Sequence, residues 1–137
     1  MRFTEWGPAL TAWIAGMFEG EGNFCVRHDR KRARACPVAQ LDSTDQDIIM
    51  RLAMALGVKP WGPYRGNGWN IKPLYKVAIA GRGAQELGHR LYPWLGTRRR
   101  LQVDKILAVE ILPRRRDPIT HRFAKSTPQS GGGDNVL

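Results

Sequence analysis

The sequence predicts an α+β domain. Three observations carry this: apolar residues at helical spacing between Leu10 and Phe18, two strand-like runs that each surround a basic turn, and two further helical segments that follow the second run. The predicted order of elements is α-β-β-α-β-β-α-α. A chain of 137 residues with 42% hydrophobic content supplies one modest core, so residues 1–112 are taken as the folded domain.

Leu10, Trp13, Ile14, Met17 and Phe18 recur at i, i+3, i+4, i+7 and i+8, one apolar face of a helix that starts near Pro8. Ala12, Gly16 and Gly20 form a second stripe at i, i+4 and i+8, bare enough for another helix backbone to approach. A helix-interior glycine such as Gly16 costs about 1 kcal/mol relative to alanine. Close packing therefore explains the stripe better than accident, and the helix is expected to bury two sides.

From Asn23 to Asp42 the chain reads as two strands about a basic turn, with Phe24, Val26, Val38 and Leu41 as partial alternation signals. Arg27, Arg30, Lys31, Arg32 and Arg34 crowd its centre. The stretch "STDQDIIMRLAMALGV" then brings a Ser or Thr cap, acids in the first turn, apolar Ile48, Ile49, Leu52, Ala53 and Leu56, and a stop at Gly57. A second hairpin follows in "KPWGPYRGNGWNIKPLYKVAIAGRG", with turn chemistry at Gly66–Gly68, five Lys or Arg and no acid. A short helix from Arg82 to Tyr92 leads through "PWLGTRRRLQ" to a last helix carrying Leu101, Ile106, Leu107, Val109, Ile111 and Leu112. Beyond Pro113 periodicity gives way to Pro, Ser, Gly and Arg, so residues 113–137 are expected to form a mobile basic tail.

Lys and Arg total 22 against 12 Asp and Glu, a net charge of +10 and a pI near 10.4. Such a balance favours a polyanionic partner through counterion release, with nucleic acid first. No run approaches the roughly 18 apolar residues of a spanning helix, and no basic region followed by an apolar core marks a secretory signal. The expected setting is intracellular, whether bacterial, phage or organellar. Cys25 and Cys36 are too few and too far apart for a CxxC-type zinc site and are expected to be free thiols. His28, His89 and His121 fall at no metal-ligand spacing.

The stretch "TAWIAGMFEGEGNF" ends an apolar helix in two glutamates among three glycines. Acids in a last turn face the negative end of the helix dipole, at a cost of about 0.3–1 kcal/mol each when exposed. A hard divalent cation would reverse that cost. Mg²⁺ prefers carboxylate, carbonyl and water oxygens, and phosphodiester hydrolysis uses it to polarise phosphate and activate water.

The segment "IAGMFEGEG", Ile14 to Gly22, resembles the signature of the LAGLIDADG homing endonucleases, on a helix just before a basic hairpin. The resemblance covers roughly residues 8–112. It implies that the motif helix packs at the centre of a pseudo-twofold arrangement, that an antiparallel sheet forms a saddle in the DNA major groove, and that the last acid holds a catalytic divalent metal, Mg²⁺ or Mn²⁺. That acid falls on Glu21, with the Gly20 carbonyl beside it, where many members have Asp and others Glu. Glu19 matches a more structural acidic position. With one motif per chain, duplex cleavage implies a homodimer whose self-complementary surface is the stripe Ala12, Gly16 and Gly20, the alternative for that stripe being intrachain packing.

The resemblance further implies a basic residue after the proline-containing turn ahead of the final helix. Gapless extension from Pro93 places Arg98 there, with Arg99 as the neighbouring alternative. Arginine keeps the charge of the family's lysine and loses a neutral-amine role. A polar residue that positions solvent at the end of the second strand corresponds to Gln40 or Ser43, and Ser43 equally suits a helix cap. An eight-residue strand spans about 26 Å, or about 8 base pairs. Major-groove chemistry makes Arg27, Arg30, Arg32, Arg34, Gln40, Arg65, Asn67, Asn70, Lys72 and Lys76 the candidate DNA contacts. Trp61, Tyr64 and Trp69 could stack on bases, although packing in a hairpin core is the favoured expectation. The activity implied is site-specific double-strand DNA cleavage at a long near-palindromic site. The alternatives on the same fold are an intron RNA maturase or a silent DNA-binding regulator.

Overall fold

Pro8 pre-sets the first turn of α1 (Pro8–Glu21), and the computed structural model describes residues 2–31, 33–65 and 72–111. The face that α1 buries holds Thr11, Ile14, Ala15 and Phe18. Leu10 is exposed, and Trp13 and Met17 are half-buried, so the apolar face is rotated from the one expected. A Cβ built on Gly16 or Gly20 meets nothing within 4 Å. Within one chain the helix therefore has one buried side rather than two.

The chain turns directly from α1 into β1 (Gly22–Asp29), then β2 (Arg34–Ser43), α2 (Gln46–Leu56), β3 (Trp61–Arg65), β4 (Pro73–Ala80), α3 (Arg82–Leu91), a 3-10 turn over Tyr92–Trp94, and α4 (Thr97–Leu107). The sheet is antiparallel throughout in the order β1-β2-β4-β3. Its register sorts side chains into two faces. Phe24 opposes Ala39, Gly22 opposes Leu41, and Leu41 opposes Val77, and these residues join Ile79 in the core beneath the helices. The alternate positions, Asn23, Cys25 and Arg27 on β1, Cys36, Val38, Gln40 and Asp42 on β2, and Lys76 and Ala78 on β4, belong to the other face. Val38 is buried there among its neighbours and is not part of the helix-side core. An odd spacing from Leu41 could not have kept both on one face.

α2 and α3 pack over β2 and β4, and α4 lies along β1. Gly57 ends α2 in the left-handed conformation expected of its position, at φ 72°. The helix begins one residue later than a Ser or Thr cap would set it, with Asp45 at the N-cap and the Ser43 hydroxyl accepting from the Asp45 N–H at 3.0 Å. Val103 and Ile106 of α4 are buried, whereas Leu101 and Leu107 are exposed. A stretch with no periodic signal completes the core: Phe3 and Trp6 are both buried and stack at 4.6 Å, while Arg90 donates to the Phe3 and Trp6 carbonyls at 3.2 and 3.0 Å. Among the described residues no helix is long and apolar enough to cross a membrane.

Gly22 has ordinary extended backbone, yet a Cβ there would stand 2.5 Å from the Phe18 ring. Its requirement for glycine is contact, not conformation. Gly22→Ala is expected to destabilise the fold by about 1–3 kcal/mol, the usual cost of overpacking, measured as the shift of the urea midpoint at unchanged slope.

Candidate active site and nucleic-acid interface

Glu21 is the last residue of α1 and is exposed, at the point where the helix hands over to β1. Three residues at the start of α4 hold this junction. The Gly96 N–H, at the N-cap of α4, donates to Glu19 Oε1 at 2.7 Å. In return Arg99 Nε lies 3.1 Å from the Phe18 carbonyl oxygen and 3.2 Å from that of Glu19, donating to the last turn of α1. Arg99 Nη1 also donates to Gln102 Oε1 at 3.3 Å, and that oxygen accepts from the Phe24 N–H of β1 at 3.2 Å. Each helix thus supplies the charge that the other's terminus needs: a carboxylate for the orphan N–H groups of α4, a guanidinium for the orphan carbonyls of α1.

This arrangement separates residues that the sequence left together. Glu19 is fastened to the backbone of α4, and Glu21 is left to the outside. Arg99 is buried at 8% exposure with its head group spent on α1, whereas Arg98 is exposed and has no polar partner among the described residues. Of the two, Arg98 is the one whose guanidinium is exposed and unengaged among the described residues. Gln40 lies on the open face of the sheet directly opposite Asn23, and its Oε1 is buried without a hydrogen-bond partner. Ser43 has the opposite parity, and its hydroxyl is engaged by Asp45. Arg99 and Ser43 therefore serve the fold, and Gln40 is the polar side chain that faces outward beside the junction.

The open face is basic. Arg27 is exposed on it, and Arg34, half-buried, pairs across the hairpin with Asp29. Lys76 stands between Asp42 and Trp61 in one cross-strand row. Lys72 is exposed just ahead of β4, and Arg30 is exposed in the turn after β1. Arg65 opposes Pro73 and so takes the other parity, at the sheet edge. Arg32, Asn67, Asn70 and Trp69 lie outside the described residues. Trp61 and Tyr64 do not pack in a hairpin core: both are exposed, and burial together with a hydrogen bond to Asp42 pushes the Tyr64 hydroxyl above its usual pKa, keeping it protonated. Cys25 and Cys36 are free and half-buried on the same face.

A basic four-stranded antiparallel face, helices behind it and a carboxylate at the end of the first helix make a recognisable architecture. The chain superposes on the homing endonuclease I-CvuI in complex with its target at a TM-score of 0.54 and 17% identity, covering 72% of this chain and 64% of that one. It superposes on the archaeal intron-encoded homing endonuclease I-Vdi141I complexed with DNA at 0.53 and 15%, covering 69% and 63%. The chain has the LAGLIDADG homing-endonuclease fold. It spans a little under two thirds of the length of these two relatives. No protein-family model matches the sequence, and no curated protein does.

Removing the Arg99 head group would leave the Phe18 and Glu19 carbonyls without their donor. Arg99→Met is expected to cost about 1–3 kcal/mol in urea denaturation. Arg98→Met, on the surface, is expected to change stability by less than about 0.5 kcal/mol.

Proposed function

We propose that the chain is a site-specific double-strand DNA endonuclease of the homing type, acting as a homodimer with a divalent cation. The observation that carries this reading is the placement of Glu21: an exposed carboxylate at the C-terminus of α1, held at the junction with the sheet by the Arg99 and Gln102 contacts, beside an outward-facing basic surface. The fold it shares with I-CvuI and I-Vdi141I, each crystallised with DNA, supports the same reading.

The donor set fits a hard cation that keeps most of its water. Among the described residues no group of three His, Cys, Asp or Glu side chains gathers. One exposed carboxylate per chain is nevertheless what Mg²⁺ requires when phosphate oxygens and water complete its shell. Glu21, with the Gly20 carbonyl in the same helical turn, would hold the ion, and Arg99 leaves that carbonyl alone by binding those of Phe18 and Glu19. When bound, the ion supplies charge neutralisation at the scissile phosphate and a more acidic water. Arg98 would offer the phosphate a permanent positive charge, and the buried, unpartnered Gln40 Oε1 would accept from an ordered water.

The bare side of α1 suits a second copy. Gly16 and Gly20 are exposed, with open space above their Cα atoms, and an isologous contact through them would bring two Glu21 carboxylates to one twofold axis. One carboxylate for each strand of the duplex follows from that symmetry. I-CvuI was crystallised with its own target in the presence of calcium and with the I-CreI target, left uncleaved, in the presence of magnesium, which is consistent with divalent-ion use here.

Cleavage of a randomised duplex library in Mg²⁺ tests the reading. The native protein is expected to cut one long near-palindromic site. Glu21→Gln is expected to bind that site and cut it about 100-fold more slowly or worse, since even outer-shell partners of metal sites are worth about 10–100-fold. Specific binding with no cutting by the native protein would sink the nuclease assignment. Gly16→Leu, at a position where an added Cβ meets nothing within 4 Å, is expected to keep the fold and sediment as a monomer. A native protein that itself sediments as a monomer at micromolar concentration in the presence of its site would count against the dimer.

A further inference from the structure

β3 is irregular in a way that the cleavage chemistry does not use. Trp61 opposes Lys76 and Tyr64 opposes Leu74, so three steps along β3 answer two along β4. Side chains three apart on a regular strand point to opposite faces, and the extra residue of a bulge brings them to the same one. That face is the open one, because Lys76 and Leu74 alternate with Tyr75, Val77 and Ile79, which pack against the core.

Gly62 makes the bulge possible. Its φ is +119°, and a Cβ would lie 2.6 Å from the Leu74 carbonyl oxygen, so no other residue fits there without moving β4. The consequence is a Trp61 side chain 58% exposed and a Tyr64 37% exposed, side by side on the outward surface. Tyr64 opposes Leu74 on this face, next to the cross-strand row that holds Asp42, Lys76 and Trp61. Aromatic area of this kind, left in water on a folded surface, indicates a partner. Lys76 in the same row and exposed Lys72 beside it select a polyanion over an apolar protein.

Resting on the endonuclease reading, we propose that Trp61 and Tyr64 form an apolar subsite for pyrimidine 5-methyl groups in the major groove, which makes this end of the sheet selective for thymine. Bases in a duplex are stacked face to face and offer an aromatic ring no flat surface. What the major groove does present in apolar form is the C5-methyl of thymine. A β-ribbon fits that groove, and the bulge turns both rings toward it. The same surface accepts 5-methylcytosine and disfavours uracil, which lacks the methyl.

The test uses the duplex selected from the randomised library and measures its dissociation constant by fluorescence anisotropy at fixed salt. Each thymine is replaced in turn by deoxyuridine, with the native protein and Trp61→Ala compared. At one position or more in each half-site, uracil is expected to weaken native binding about three- to tenfold, the scale of one buried methyl contact. Trp61→Ala is expected to lose that discrimination, and Trp61→Phe to retain part of it, which separates the methyl contact from a disturbed fold. Equal thymine-to-uracil ratios for native protein and Trp61→Ala overturn the proposal, as does the absence of any uracil-sensitive position. So does Trp61-dependent binding of the single strand as tightly as the duplex, which would make the rings a stacking platform for unpaired bases. If the native protein selects no duplex at all, the endonuclease reading falls and takes this one with it. If it selects a duplex and ignores uracil, only the thymine subsite falls.

Discussion

The C-terminus of α1 and the N-terminus of α4 each carry the charge that their own dipole disfavours, and they exchange these charges. Glu19 would be a liability at the end of α1 and becomes the acceptor for the Gly96 N–H at the start of α4. Arg99 would be a liability in the first turn of α4 and becomes the donor to the Phe18 and Glu19 carbonyls. Gln102, one turn further, ties the same guanidinium to the backbone of β1 through Phe24. Two helix ends and the first strand are thereby locked at one point. The chain reverses from helix to strand there with no loop, which Gly22 permits by having no side chain to strike Phe18.

The rest of the molecule extends from that point in two directions. Behind the sheet, Phe18 and Phe24 meet at 5.3 Å and lead into a core built from every helix. Gly88 lets α3 lie close to Val103 of α4, and Gln85 donates to the Ile106 and Val109 carbonyls at the far end of α4. Both ends of α4 thus gain hydrogen bonds from other elements, at its C-terminus in addition to those of its own cap, a use of tertiary contact to complete a short helix. In front of the sheet, Gln40 and the basic side chains of β1, β2 and β4 share one face, and the exposed Glu21 stands where α1 meets β1.

Much of this was legible in the sequence, and for physical reasons. Helical spacing, turn residues and a stop glycine depend on neighbours within a few positions, so α1, α2 and the hairpins follow from local patterns. Of the two acids at the end of α1, Glu19 is accounted for by the Gly96 N–H it accepts from, a contact no local pattern announces. Missed elements are those without local signal. Phe3 and Trp6 have no periodicity to announce them and are buried because Arg90, 87 and 84 residues away, binds their carbonyls. The apolar face of α4 was misplaced because Arg99, a cation, occupies a buried position that a hydrophobic count assigns to Leu101.

By itself the sequence determined the order of the elements, the α+β class, the positive charge and the motif that places Glu21 at the end of the first helix. Only the tertiary structure decided which of Arg98 and Arg99 remains available, which of Gln40 and Ser43 faces outward, and that Trp61 and Tyr64 stand together on the open face. Strand parity shows why. A pattern of alternation fixes which residues share a face only while the register is regular, and a single bulge at Gly62 reverses it for everything beyond. Helix-end charges likewise acquire their meaning from a partner 77 to 81 residues away, a separation that no local pattern records.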